Sequence, residues 1–158
     1  MLNSIFRSGA LLVLAGMTCG IAQAKQDSAG AGTGDLQVVV QRLGSTEGMI
    51  RWAVYSSEGT FRAAVHKEGN TPTRAGTTKP QEGEVRFEIP KLPHGDYALM
   101  LFHDENMNDE VDKRALGLPK ERVGVSNYSS RPMRKPYWKK ARFTHNQPNT
   151  LVTIQTFR

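Results

Sequence analysis

Cysteine is almost absent from this 158-residue chain; the single one, Cys19, lies near the N-terminus. That scarcity excludes a disulfide framework and a multi-thiolate metal site. Aromatic residues make up only 8%, which with the many glycines and prolines argues against a helix bundle. Apolar runs are short, and none reaches the roughly 20 residues that a spanning helix needs. Histidines are few and scattered (His66, His94, His103, His145), without the paired spacing of a zinc hydrolase. No internal repeat is visible. What remains, with 15 glycines and eight prolines, is the composition of short strands and many turns in one domain.

The N-terminus reads as an export signal. Arg7 precedes an apolar stretch from Ala10 to Gly20, and Ala22-Gln23-Ala24 supplies the small-x-small pattern of a cleavage site. Cleavage after Ala24 is expected, with a periplasmic or extracellular mature chain; lipidation at Cys19 is the alternative. Residues 25–34 (KQDSAGAGTG) read as a flexible tether, and residues 35–158 as the folded domain.

That domain is patterned with period two. Leu36, Val38 and Val40 share one face of a strand, Ile50, Trp52 and Val54 one face of the next, and the two are expected to form a hairpin. Residues 60–65 predict one short helical turn, and the polar stretch 66–83 a loop holding a weak strand. Val85, Phe87 and Ile89 alternate again, whereas 97–102 (YALMLF) is apolar on both faces, as a central strand should be. Residues 141–144 and 151–157 predict a last hairpin around Asn-Gln-Pro-Asn. Between Ile89 and Tyr97, Pro93 and Gly95 predict a turn from which Tyr97 re-enters the core. The expected fold is all-β, a single antiparallel β-sandwich of about seven strands. Its expected core is Val38, Val40, Trp52, Val54, Phe87, Leu99, Leu101, Phe143 and Ile154.

The Leu92-Pro93-x-Gly95-x-Tyr97 corner resembles those of transthyretin-like and carboxypeptidase-regulatory-like sandwiches. A sharper resemblance follows from 102–106 (FHDEN), 116–121 (LGLPKE) and 124–127 (GVSN) in that order. With the corner and the export signal, these motifs make the chain similar to the bacterial family known as domain of unknown function 2141, over roughly Leu36 to Phe157. The resemblance implies an exported β-sandwich and no particular activity. Two departures stand out. The family's loop after the acidic pair reads Asn-Gly-Asn-Gly, and here Met107 and Asp109 replace both glycines. Its later acidic segment reads 137–143 (YWKKARF) in this chain.

The loop itself is rich in oxygen. Asp104, Asn106, Asn108, Glu110 and Asp112 alternate as positions 1, 3, 5, 7 and 9 of a calcium loop do, which makes them candidate calcium ligands. Against that, the sixth position is Asp109 where glycine is usual, and the twelfth is Ala115 where a bidentate carboxylate closes the cage. The other reading is an acidic turn in which Asp and Asn side chains cap their own backbone. Calcium is the one cofactor this sequence suggests.

His103 ends the central strand beside that loop. With Asp104, and Ser126 as nucleophile, it can be drawn as a hydrolase site, and a hydrolase acting on an envelope substrate is the alternative function. No nucleophile elbow or glycine-rich oxyanion strand accompanies it, so no catalytic constellation is assigned. Charge is distributed unevenly. Asp104 to Asp112 holds five acids and no base, whereas Lys113 to Arg158 holds eleven bases against Glu121 alone. Arg131, Arg134, Lys135, Trp138, Lys139, Lys140 and Arg142 therefore form a candidate surface for an anionic partner. An exported protein meets envelope lipid, acidic polymer or another envelope protein, and no nucleic acid is expected. The sequence thus reads as a non-catalytic envelope module that binds or bridges through residues 104–142 and does not span the membrane.

Overall fold

A computed structural model describes residues 30–114, 119–132 and 134–158. The export signal with Cys19, the start of the tether, Ala115 and the 116–118 part of the LGLPKE motif lie outside the described residues. The described chain contains seven strands and two helices: β1 (Gly30–Gln41), β2 (Met49–Tyr55), α1 (Glu58–His66), β3 (Arg74–Thr78), β4 (Val85–Asp104), β5 (Val123–Val125), α2 (Trp138–Ala141), β6 (Phe143–His145) and β7 (Asn149–Phe157). The fold is all-β with the expected number of strands, joined into one sheet in the order β1-β7-β5-β4-β2-β3, with β6 on β4. Because β4 also pairs with β1, four strands close into a ring.

β4 is what closes it. Its first half pairs with β1 (Val38↔Phe87), and its second half with β2 (Trp52↔Leu101) and β5 (Leu101↔Gly124). The expected turn at residues 90–96 is instead a bend inside this 20-residue strand, with Lys91 at φ 52°. The tyrosine keeps its role there, since the Tyr97 hydroxyl donates to the Pro93 carbonyl at 2.8 Å and its ring is buried. Neither expected hairpin forms: β2 pairs with β3 and β4, β6 pairs with β4, and β7 runs parallel to β1. Hydrophobic alternation sets which face of a strand is buried and leaves the neighbour unspecified. β1 also begins inside the segment read as a tether. A side-chain carbon on Gly32 would come 2.7 Å from the His94 ring, so glycine here permits close packing.

Two apolar clusters flank the second half of β4. Leu36, Val38, Val40, Val54, Leu99, Leu101 and Ile154 fill the larger one, with Trp52, Phe87 and Phe143 packed half-buried against it. The other holds Tyr55, Phe61, Ala98, Val125, Tyr128 and Ala141, with Trp138 alongside. Ala98 and Met100 face this second cluster while Leu99 and Leu101 face the first, which is why the strand is apolar on both sides. Ser57 caps α1 by accepting from the Thr60 amide at 3.3 Å.

Candidate functional site

The acidic loop starts where β4 ends, and Asp104 organises its first half. The side chain is fully buried. One carboxylate oxygen accepts from the Asn108 amide at 3.0 Å, the other from the Asp109 amide at 3.0 Å and from Arg51 Nε at 2.6 Å. Burial pushes this carboxyl's pKa up, and the hydrogen bonds from Arg51, Asp109 and Asn108 overcome that push and hold it below the ordinary value. Arg51 projects from the neighbouring strand β2 and also pairs with Asp109. Its own pKa is raised, chiefly by the Asp104 hydrogen bond.

Asp112 organises the second half. Its oxygens accept from the side-chain amides of Asn106 (3.0 Å) and Asn108 (3.1 Å), and Lys120 stands 3.9 Å away. Asn108 Oδ1 in turn accepts from the Glu110 amide at 2.9 Å, while the Glu110 side chain is exposed. Of the five residues read as a calcium set, four thus meet around two carboxylates already engaged by protein donors, and Glu110 stands outside. Met107 (φ 59°) and Asp109 (φ 68°) adopt left-handed backbone, the conformation that glycine takes without steric cost. These are the two positions at which the resembled family pattern has glycine.

Glu121 is the residue that sequence reasoning missed. Buried to 3% exposure, it accepts from the Glu105 amide at 3.1 Å and the Asp112 amide at 3.2 Å, clasping both ends of the loop. The available signal was its isolation, as the one acid among eleven bases.

The candidate hydrolase residues are brought to different tasks. His103 is fully buried, and its Nε2 donates to the Glu47 carbonyl at 2.6 Å. Its Nδ1 lies 3.7 Å from Glu105 Oε1, a carboxylate held by Arg158 at 3.1 Å. Ser126, just past β5, is buried beside Leu99, four residues before His103 on β4; it accepts from the Leu99 amide at 3.0 Å and donates to the Ala141 carbonyl at 2.6 Å. That displacement is about 13 Å along a strand. Asp104 faces Arg51, so these three side chains form no relay.

In the basic segment, Arg131, Arg134, Lys135, Lys139 and Lys140 are exposed. Among the described residues, none of these five pairs with a carboxylate. Lys140 stands 4.3 Å over the Tyr128 ring, a cation–π contact that leaves the charge unneutralised. Two residues depart from the expected surface. Trp138 packs edge-on against Phe61 at 6.0 Å and belongs to the second cluster. Arg142 pairs with Asp96 at 3.0 Å.

A family model described as "Uncharacterized protein conserved in bacteria (DUF2141)" matches residues 38–153, a span that contains both charged segments. No curated protein and no solved structure matches the chain.

Proposed function

Since the chain belongs to the bacterial family DUF2141, whose description assigns no activity, we propose that it is an exported, non-catalytic envelope module. Its working surface is the basic segment 131–142, which meets anionic lipid head groups or an acidic polymer of the envelope. One observation carries this reading. The acidic loop is engaged by Arg51, Lys120, Arg158 and backbone amides, so it leaves Arg131, Arg134, Lys135, Lys139 and Lys140 unneutralised. Each base near an anionic bilayer contributes about 1 kcal/mol. Replacing Arg131, Arg134, Lys139 and Lys140 by glutamine should therefore weaken binding to phosphatidylglycerol-containing vesicles at least 100-fold at low salt. Affinity for purely phosphatidylcholine vesicles should be negligible in both proteins. A vesicle affinity unmoved by salt, or by the four substitutions, would overturn the reading.

For residues 104–112 we infer a self-capped structural turn. Asp104 and Asp112 already accept from protein donors on both oxygens, so a calcium ion would have to displace Arg51 and two side-chain amides. Equal thermal midpoints in calcium and in chelator are expected, and a calcium-dependent rise would restore the calcium reading. The hydrolase alternative predicts a turnover that His103→Ala abolishes; a broad esterase, glycosidase and phosphatase screen is expected to find none.

A further inference from the structure

Along β7, Thr153 and Gln155 alternate with the core residues Val152 and Ile154, so they face away from the core. Beside them runs the turn after β5, and Asn127, Tyr128, Ser129, Thr153 and Gln155 together line a cavity of about 280 Å³. Its lining is fixed from several directions. Tyr128 is anchored in the second apolar cluster, and its hydroxyl accepts from the Tyr137 amide at 3.2 Å, which ties the turn to the basic segment. Asn127, in left-handed backbone at φ 60°, donates its side-chain amide to the Arg142 carbonyl at 2.8 Å and keeps Oδ1 as an acceptor. Two cations touch this lining. Lys140 Nζ stands 4.3 Å over the Tyr128 ring. Arg42 follows β1 in left-handed backbone at φ 64°, its carbonyl held by the Thr156 hydroxyl at 2.6 Å, and its Nη1 comes within 3.5 Å of the Ser129 carbonyl. Among the described residues, neither cation pairs with a carboxylate. None of the five lining residues is acidic.

The volume is near the lower limit of small-ligand sites, about 300 Å³, which suits one ring-sized unit. Two hydroxyls and two amides, from Ser129, Thr153, Asn127 and Gln155, supply both donors and acceptors. Sugar hydroxyls need that mixture. The cations at the rim add a preference for negative charge, and arginine's planar fork matches a carboxylate. A bilayer surface is engaged by exposed apolar side chains, and the lining offers none: its one large apolar group, the Tyr128 ring, is buried. Between an anionic lipid and an acidic polymer, the cavity therefore favours the polymer.

We propose that this cavity, rimmed by Arg42 and Lys140, binds one carboxylated sugar unit of an acidic polysaccharide, whose neighbouring acidic units the bases of 131–142 attract. This deepens the reading of the basic surface, rests on it, and commits it to a polymer. Arg42, Thr153 and Gln155 lie outside residues 131–142, so the two ideas can be tested apart.

The test follows the side-chain amide signals of Asn127 and Gln155 in the purified protein by NMR. Galacturonate, galactose and acetate are added separately at matched ionic strength, and then oligogalacturonate. Galacturonate should bind at least tenfold more tightly than galactose or acetate, and oligogalacturonate at least tenfold more tightly again. Arg42→Gln with Gln155→Ala, read at Asn127, should weaken galacturonate at least tenfold with the thermal midpoint unchanged. Thr153→Ala, at an exposed strand position, is a second variant expected to weaken it. Arg131→Gln with Arg134→Gln should leave galacturonate binding in place and weaken only the oligomer. An equal response to acetate would mark an adventitious ion only and overturn the site. So would an equal response to galactose, or a galacturonate response that survives Arg42→Gln with Gln155→Ala and Thr153→Ala alike. Binding of phosphatidylglycerol vesicles without any response to the sugars overturns the site and leaves the basic surface standing. Loss of both vesicle and oligogalacturonate binding overturns the two together.

Discussion

Replacing Asp104 by asparagine keeps the volume of the side chain and removes one of its two acceptor positions. The native carboxylate takes three donors, Arg51 Nε, Asn108 N and Asp109 N, from a fully buried position. An asparagine oxygen facing Arg51 and Asp109 turns its amide nitrogen toward the Asn108 N–H, setting donor against donor. Losing one hydrogen bond to a charged acceptor costs about 1.5–3 kcal/mol, and weakening the other two adds to it. The loop amides can still reach water, which limits the total to about 3 kcal/mol. In a folded domain of this size that lowers the thermal midpoint by about 10 °C. The sign with pH follows from the direction of the pKa shift. A carboxyl held below its ordinary value contributes stability that is fully present above the unfolded pKa of about 4 and is lost as pH falls through the folded value. The gap between wild type and Asp104→Asn should therefore be widest at pH 7 and shrink steadily below about pH 4. Chemical denaturation of both proteins from pH 7 to pH 2 reads this directly, with Asp112→Asn as control at under about 1 kcal/mol, since its cluster is exposed. A gap below about 0.5 kcal/mol at pH 7, or one indifferent to pH, would refute Asp104 as the organiser of the loop.

Gly48→Ala should destabilise by about 2–4 kcal/mol in urea titration, because the residue sits at φ 71° and a side-chain carbon would run into the Asp104 carbonyl; Gly83→Ala, at φ 80° with open space around it, should cost only about 1 kcal/mol. Met107→Gly should raise stability by about 0.5 kcal/mol by relieving left-handed backbone at a side chain that is 64% exposed; a measured loss would mean the methionine makes a contact of its own. Trp138→Ala should cost about 2 kcal/mol and leave vesicle affinity unchanged, because the ring packs on Phe61; a drop in affinity at constant stability would return it to the binding surface.

Much of this fold was legible because burial has a period. Val38, Val40, Val54, Leu99, Leu101 and Ile154 are core residues in sequence pattern and in structure alike. Partner choice was not legible, since alternation is identical whether a strand pairs with its sequence neighbour or, as β1 does, with β4 and β7. β5 was overlooked because three residues (VGV) are too short to show alternation. Its Gly124 faces Leu101 and Ile154 at a spacing that leaves no room for a side chain. In the acidic loop, spacing identified the oxygens and could not say what satisfies them. Arg51 lies 53 positions from Asp104, and only the β2–β4 register brings them together.

The same register explains how the two charged blocks come to differ in character. Asp104 and Arg51 sit on adjacent strands of a rigid ladder, where Met49 faces Asp104 and Arg51 faces Phe102. The geometry of the pair is therefore set by backbone hydrogen bonds, and the loop's negative charge is tied inward. The bases of 131–142 lie on a connection whose anchors are apolar: Trp138 on Phe61, and Tyr128 and Ala141 in the second cluster. Apolar anchoring fixes where the segment lies and, among the described residues, leaves Arg131, Arg134, Lys135, Lys139 and Lys140 without a carboxylate partner. The acids are spent on holding a turn, and Arg131, Arg134, Lys135, Lys139 and Lys140 are held out to solvent. A connection built only to join β4 to β7 would gain stability by pairing those acids and bases with each other. This one pairs Asp112 with Lys120 and leaves Arg131, Arg134, Lys135, Lys139 and Lys140 without a carboxylate among the described residues, and that is the physical ground for reading the basic side as a binding surface.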